Sequence, residues 1–134
     1  MRRLAKGVLI VTALLACATD PVSVDVTPYA GAYTLITMNG NTLPYALSNT
    51  PTLTLLATSG TSTLLASGSF VDITRYQRTQ NSVTDFPTDT LRGTFTVRGQ
   101  TATFTTTSGS LLTGTMGTSE FTVEGSSAVF LYKK

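Results

Sequence analysis

The chain of 134 residues has no histidine, no tryptophan and a single cysteine, Cys17. Without histidine there is no imidazole base to activate a serine or cysteine nucleophile. Histidine zinc sites are excluded for the same reason. One cysteine cannot close a disulfide within the chain or build a thiolate metal site. Charge is also scarce, with only 12% of residues charged. Long apolar runs are missing too. The longest, residues 7–16, is about half of the roughly 20 residues that a membrane-spanning helix needs. Nine basic side chains against seven acidic ones give a formal charge of +2. Arg2, Arg3 and Lys6 sit at the extreme N-terminus, however, and without them six basic groups face seven acidic ones. No basic footprint for nucleic acid remains.

What is present begins with MRRLAKGVLIVTALLAC. A basic start followed by an apolar run of this length reads as a secretory signal peptide, residues 1–16. Leu14-Leu15-Ala16-Cys17 resembles the bacterial lipobox, Leu-small-small-Cys, with Leu15 bulkier than usual. The resemblance implies that the Cys17 thiol carries a diacylglyceryl group and that the signal is cut before Cys17. It also implies a new amino group acylated by a fatty acid such as palmitate. The alternative is an ordinary secretory signal cut after Ala16 or Ala18. Two or more acyl chains hold a protein firmly on a membrane. The implied setting is the bacterial cell envelope, with the lipid bilayer as a partner through acylated Cys17. Residues 17–28 then form the lipidated cysteine and a tether. They contain two prolines and no helical periodicity, and as a flexible coil would span roughly 18 Å.

From residue 29 to the end, helix signals are absent. Threonine makes up about a fifth of the chain, and valines and aromatics are frequent, all strand formers. Asn39-Gly40, Ser59-Gly60, Ser67-Gly68, Arg98-Gly99, Ser108-Gly109 and Gly125-Ser126 punctuate the sequence as turns. The pattern predicts strands over 32–38, 52–58, 62–66, 69–78, 90–98, 101–107, 111–117, 119–124 and 128–133. Leu91, Gly93, Phe95 and Val97 alternate with Arg92, Thr94, Thr96 and Arg98, so the first set shares one face. Residues 98–100 read as a hairpin turn into the next strand, where Ala102 and Phe104 face the same way. Residues 39–51 and 79–89 read as long connections. So little charge leaves little with which to guard sheet edges, and closure into a barrel removes the edges altogether.

The stretch GAYTLITMNGNTLP, residues 31–44, resembles the opening of small bacterial lipocalin-like (calycin-type) lipoproteins. Gly31, Tyr33, Leu35, Asn39, Gly40, Leu43 and Pro44 carry the match. The resemblance implies an all-β domain over residues 29–134. It would be an antiparallel up-and-down meander of about eight strands closing into a barrel, preceded by the signal-peptide helix and tether. It also implies a basic residue over the first-strand aromatic, Lys133 over Tyr33. The chain is shorter than a typical lipocalin and lacks its disulfides and C-terminal helix.

The expected inward set comprises Tyr33, Leu35, Phe70, Leu91, Phe95, Phe104, Phe121 and Phe130. It either fills the barrel or lines a pocket, since an eight-stranded barrel is just wide enough for either. The candidate ligand pocket is Tyr33, Leu35, Phe70, Leu91, Phe95, Phe104 and Phe130. Asp85 and Asp89 share one connection, but as a glycosidase pair or a calcium site they supply too little, and they read as a solvated loop. The Thr-x-Thr runs lack a fixed period and read as a solvent face rather than an ice-binding array. No catalytic group, metal or cofactor is expected, and the chain is not read as an enzyme. Two functions remain in view. One is binding of a small apolar or amphipathic ligand. The other is an envelope interaction, inhibitor or scaffold protein that acts through its loops and outer face around a filled barrel.

Overall fold

The computed structural model describes residues 24–134; the expected signal peptide, 1–16, and Cys17 lie outside the described residues. After a 3-10 turn at Thr27–Tyr29 the chain is built almost wholly of strands: β1 (Gly31–Met38), β2 (Asn41–Thr42), β3 (Tyr45–Asn49), β4 (Leu53–Leu64), β5 (Ser69–Gln80), β6 (Val83–Asp85), β7 (Thr88–Arg98), β8 (Thr101–Thr106), β9 (Leu111–Thr115), β10 (Glu120–Glu124) and β11 (Val129–Lys133). Eight of them, β1, β4, β5, β7, β8, β9, β10 and β11, pair antiparallel with their neighbours in chain order. The first strand pairs with β4 on one side and with β11 on the other, which closes the ring. The expected all-β antiparallel barrel is therefore present, with three further strands, β2, β3 and β6, outside the ring.

Those three strands explain why residues 39–51 and 79–89 are not plain connections. The two 12-residue strands β4 and β5 outlast the barrel wall. Beyond it, Thr54–Ala57 has lost β1 as a neighbour and pairs with β3, while Arg78–Gln80 pairs with β6. The backbone groups of the overhang are thereby satisfied on both sides. The result is a four-stranded wing on one rim of the barrel. A strand as short as β6 has no sequence signal of its own; it forms because β5 offers it a ladder.

The Ser59-Gly60 pair, expected as a turn between two strands, lies inside β4. A Cβ on Gly60 would come within 2.9 Å of Leu35 Cβ and 2.8 Å of Leu35 Cδ2. Glycine stands there so that β1 can lay Leu35 against the β4 backbone. A register shift between Ala57 and Ser59 adds a bulge at this point. Bulges sharpen twist and bend, and a bend of this kind helps a sheet curl into a ring. Asn39-Gly40, by contrast, is a turn. Both residues have positive φ, 51° and 77°, and they join Met38 to Asn41 in a two-residue hairpin.

Along β7 and β8 the expected alternation holds: Phe95 pairs with Phe104 and Val97 with Ala102, all four buried. The lower half of the barrel is filled by aromatic rings. Phe104 stacks between Phe95 and Phe121, at 5.9 and 5.7 Å between centroids, and meets Phe70 edge-on at 5.3 Å. Phe121 in turn stacks on Tyr132 and receives the edge of Tyr33, each at 4.9 Å. The outer face carries the threonines. The chain enters the barrel at this filled end, where Val26 is part of the core and Tyr33 Oη donates to the Tyr29 carbonyl at 2.7 Å. The cation above Tyr33 is Lys134 Nζ, 5.1 Å from the ring centroid, and not Lys133. Lys133 points to the outer face, where it pairs with Glu120 at 3.3 Å. The alternation of β11 decides this, because Tyr132 and Lys134 share a side.

Candidate functional site

At the opposite end, under the wing, the barrel interior is not filled. A cup of about 100 Å³ opens there. It is the continuation of the same inward faces that build the aromatic core. On β5 the inward positions are Phe70, Asp72, Thr74 and Tyr76, so the strand that starts with a core aromatic arrives at the cup carrying a carboxyl, a hydroxyl and a phenol. On β7 the series Val97, Phe95, Gly93, Leu91 runs on to Asp89. Leu112 of β9, Val123 of β10 and Phe130 and Tyr132 of β11 complete the wall.

The seven candidate pocket residues divide between the two halves. Tyr33, Leu35, Phe70, Phe95 and Phe104 are at most 3% exposed and belong to the packed core. Leu91 and Phe130 are half-buried and line the cup. The sequence pattern assigns none of the cup's polar groups, Asp72, Tyr76, Asp89 and Tyr132, to the pocket, and Asp89 reads with Asp85 as a solvated loop. The signal for them is the period-two alternation itself: Asp72 stands two residues after Phe70, Asp89 two before Leu91, and Tyr132 two after Phe130. Asp85, which shares a connection with Asp89, is outside the cup. It forms an exposed bidentate pair with Arg78 across β5 and β6, which holds its carboxyl below the usual range and is screened by solvent.

Asp72 is the group that sets the character of the site. It pairs in register with Ser62 of β4, and both side chains face inward. Ser62 is fully buried. Neither Ser62 Oγ nor Asp72 Oδ1 has a hydrogen-bond partner among the described residues. Burial pushes the Asp72 carboxyl up to about 6, and the neighbouring Ser62 hydroxyl offsets only part of that effect. The phenols of the cup follow the same logic. Tyr132 is pushed up by burial, then by the charge of Asp72 and, at high pH where it ionises, by that of Tyr76. Tyr76 is pushed up by burial and by Asp89, with Thr74 acting in the opposite sense. At neutral pH the cup therefore holds an ionised carboxyl with an unsatisfied oxygen, two neutral phenols and a largely apolar wall. Chemically it can accept hydrogen bonds, donate them from the phenols, and shelter a few carbon atoms from water.

No family model, curated protein or solved structure matches the chain.

Proposed function

We propose that the chain is a lipid-anchored cell-envelope protein of the small bacterial lipocalin-like lipoprotein kind, and that it holds a small amphipathic ligand in the cup. The anchor is acylated Cys17 and the binding body is the barrel. The observation that carries the binding reading is the convergence of Asp72, Tyr76, Asp89 and Tyr132 on an otherwise apolar concavity. A few placed polar groups in an apolar hollow are what a small-molecule site requires. The size narrows the ligand class. An apolar cavity of about 150 Å³ holds benzene, so a cup of about 100 Å³ encloses roughly four non-hydrogen atoms, and the rest of any larger ligand leads out through the mouth. A whole fatty-acid chain does not fit inside. The described chain enters at the filled end, opposite the cup, so an anchor at Cys17 would not lead across the mouth.

A second reading has its own observation. On the wing, Val83 at the tip and Phe86 after β6 are 69% and 72% exposed. Large apolar side chains exposed on one protruding element suit contact with a partner protein. One experiment separates the readings: mass spectrometry of small molecules carried by the native protein, for the wild type and for Leu112→Trp, whose larger ring fills the cup. A compound present on the wild type and lost from the variant is the expected result. Equal recovery from both, or none from either, removes the ligand-binding reading and leaves the wing as the functional surface. The anchor is tested separately. Labelled palmitate should enter the wild type and not Cys17→Ser, and equal labelling of both would end the lipoprotein reading.

A further inference from the structure

The polar groups of the cup are biased in charge, and the inference drawn from that bias rests on the cup being a ligand site. Among the described residues its wall carries two carboxyl groups and no basic side chain. Asp72 stands opposite Leu91, and Asp89 opposite Thr74, so the two acids are diagonal neighbours on the inner face of β5 and β7. The titratable groups that face Asp72 are Asp89 from β7, Tyr76 from its own strand and Tyr132 from β11. The other packed strands present Ser62, Leu112 and Val123, which carry no charge. Arg75 and Arg92 occupy the outward positions of the same two strands and are exposed, and Arg78 is held by Asp85 outside the barrel.

A buried carboxylate oxygen without a donor is short of an N–H or O–H partner. The fully buried Ser62 hydroxyl, opposite Asp72 on the next strand and behind the cup wall, also has no hydrogen-bond partner among the described residues. The rings of Tyr76, Phe130 and Tyr132 add electron-rich surface that attracts a cation. The phenol oxygens can accept further N–H bonds. An anionic head group would meet two acids and no counter-charge. A neutral one could donate a hydrogen bond to Asp72 but would leave its charge without a counter-charge.

We propose that the cup binds the protonated amino group of a small amphipathic amine, with Asp72 as counter-ion, Asp89 as a second acceptor nearer the mouth, and the hydrocarbon of the ligand against Leu91, Leu112 and Phe130. A bound cation favours the ionised form of Asp72. Affinity therefore falls as that carboxyl is protonated. With its titration near 6 in the free protein, the dissociation constant should rise about tenfold between pH 7.5 and pH 5.

The test uses the purified full-length chain and three probes of matched size: n-butylammonium, n-butanol and butyrate. Binding is read from the shifts of the methyl NMR signals of Leu91, Leu112 and Val123. The expected order at pH 7.5 is butylammonium at least tenfold tighter than butanol, with butyrate weakest. Asp72→Asn should abolish the preference for the ammonium over the alcohol. Asp85→Asn, outside the cup, should leave it intact. If butanol or butyrate binds as tightly as butylammonium, the cation assignment is overturned while the cup stands as a ligand site. If none of the three moves the cup methyls, both are overturned. An ammonium preference that survives Asp72→Asn overturns the assignment of Asp72.

Discussion

Replacing Phe104 by alanine is the sharpest perturbation of the filled half of the barrel. Phe104 is 1% exposed and touches three other rings: Phe95 and Phe121 by stacking, Phe70 by its edge. Removal deletes the largest part of a buried aromatic side chain and leaves a hole that strands on all sides hold open, because the barrel is closed and cannot collapse freely. Truncations of this kind cost about 3–5 kcal/mol. Each of the aromatic pairs lost is worth about 0.5–1.5 kcal/mol beyond its area, which places the expectation in the upper part of that range. A domain of this size has about 5–15 kcal/mol in total, so the variant should unfold at a much lower denaturant concentration with little change in slope. Phe130→Ala is the internal comparison. Phe130 is half-buried and one side of its ring faces the open cup, so less packing is lost and the cost should be about 1–2 kcal/mol. Urea unfolding of the two variants and the wild type, followed by far-ultraviolet circular dichroism, measures the contrast. Equal losses for the two variants, or a loss below about 1 kcal/mol for Phe104→Ala, would refute the division of the interior into a packed half and a cup.

Three further outcomes follow from the same geometry. Gly60→Ala should destabilise by about 1–3 kcal/mol, because the new Cβ meets Leu35 Cβ and neither strand can withdraw without breaking its ladder; thermal unfolding checks this. Gly40→Val should cost about 1 kcal/mol or more, since a β-branched residue resists the positive φ of that turn although there is open space around it, and the same melt reports it. Asp72→Asn should stabilise the unliganded protein at pH 8 and do little at pH 4. The folded-state value of about 6 lies above the ordinary 3.8, so the folded protein holds this proton more tightly than the unfolded chain does. Stability from this group is present below pH 3.8 and is lost as pH rises to about 6, an effect of up to about 3 kcal/mol. Urea midpoints of both proteins at the two pH values give the difference, and a variant less stable than wild type at pH 8 would contradict it.

The barrel wall was legible because its strands carry their own signal. The alternation through Leu91, Phe95 and Val97 and the turn at Arg98-Gly99 depend only on local pattern, and both are found as read. Ser59-Gly60 was not legible as a strand interior, because the reason for the glycine is a side chain on another strand, Leu35. The wing was hidden for a similar reason: β3 and β6 exist only where the longer strands β4 and β5 offer them a ladder. The split of the inward residues into core and cup also needs three dimensions. Leu91 and Phe95 share one face of one strand, yet Phe95 is roofed by Phe104 while Leu91 is not. Asp89 reads with Asp85 as one solvated loop because the two are close in sequence. The start of β7 between them sends one inward and the other to Arg78 on the outside.

Asp72 gives the cup a largely buried carboxyl whose Oδ1 has no hydrogen-bond partner among the described residues. The most direct test of this is the titration of the Asp72 side-chain carbon, followed by carboxyl-selective NMR in the full-length chain without added amine. A midpoint near 6, moving downward when n-butylammonium is added, is the result expected. A midpoint at or below the ordinary 3.8, unmoved by the amine, would show that Asp72 is already solvated or paired and would contradict the account.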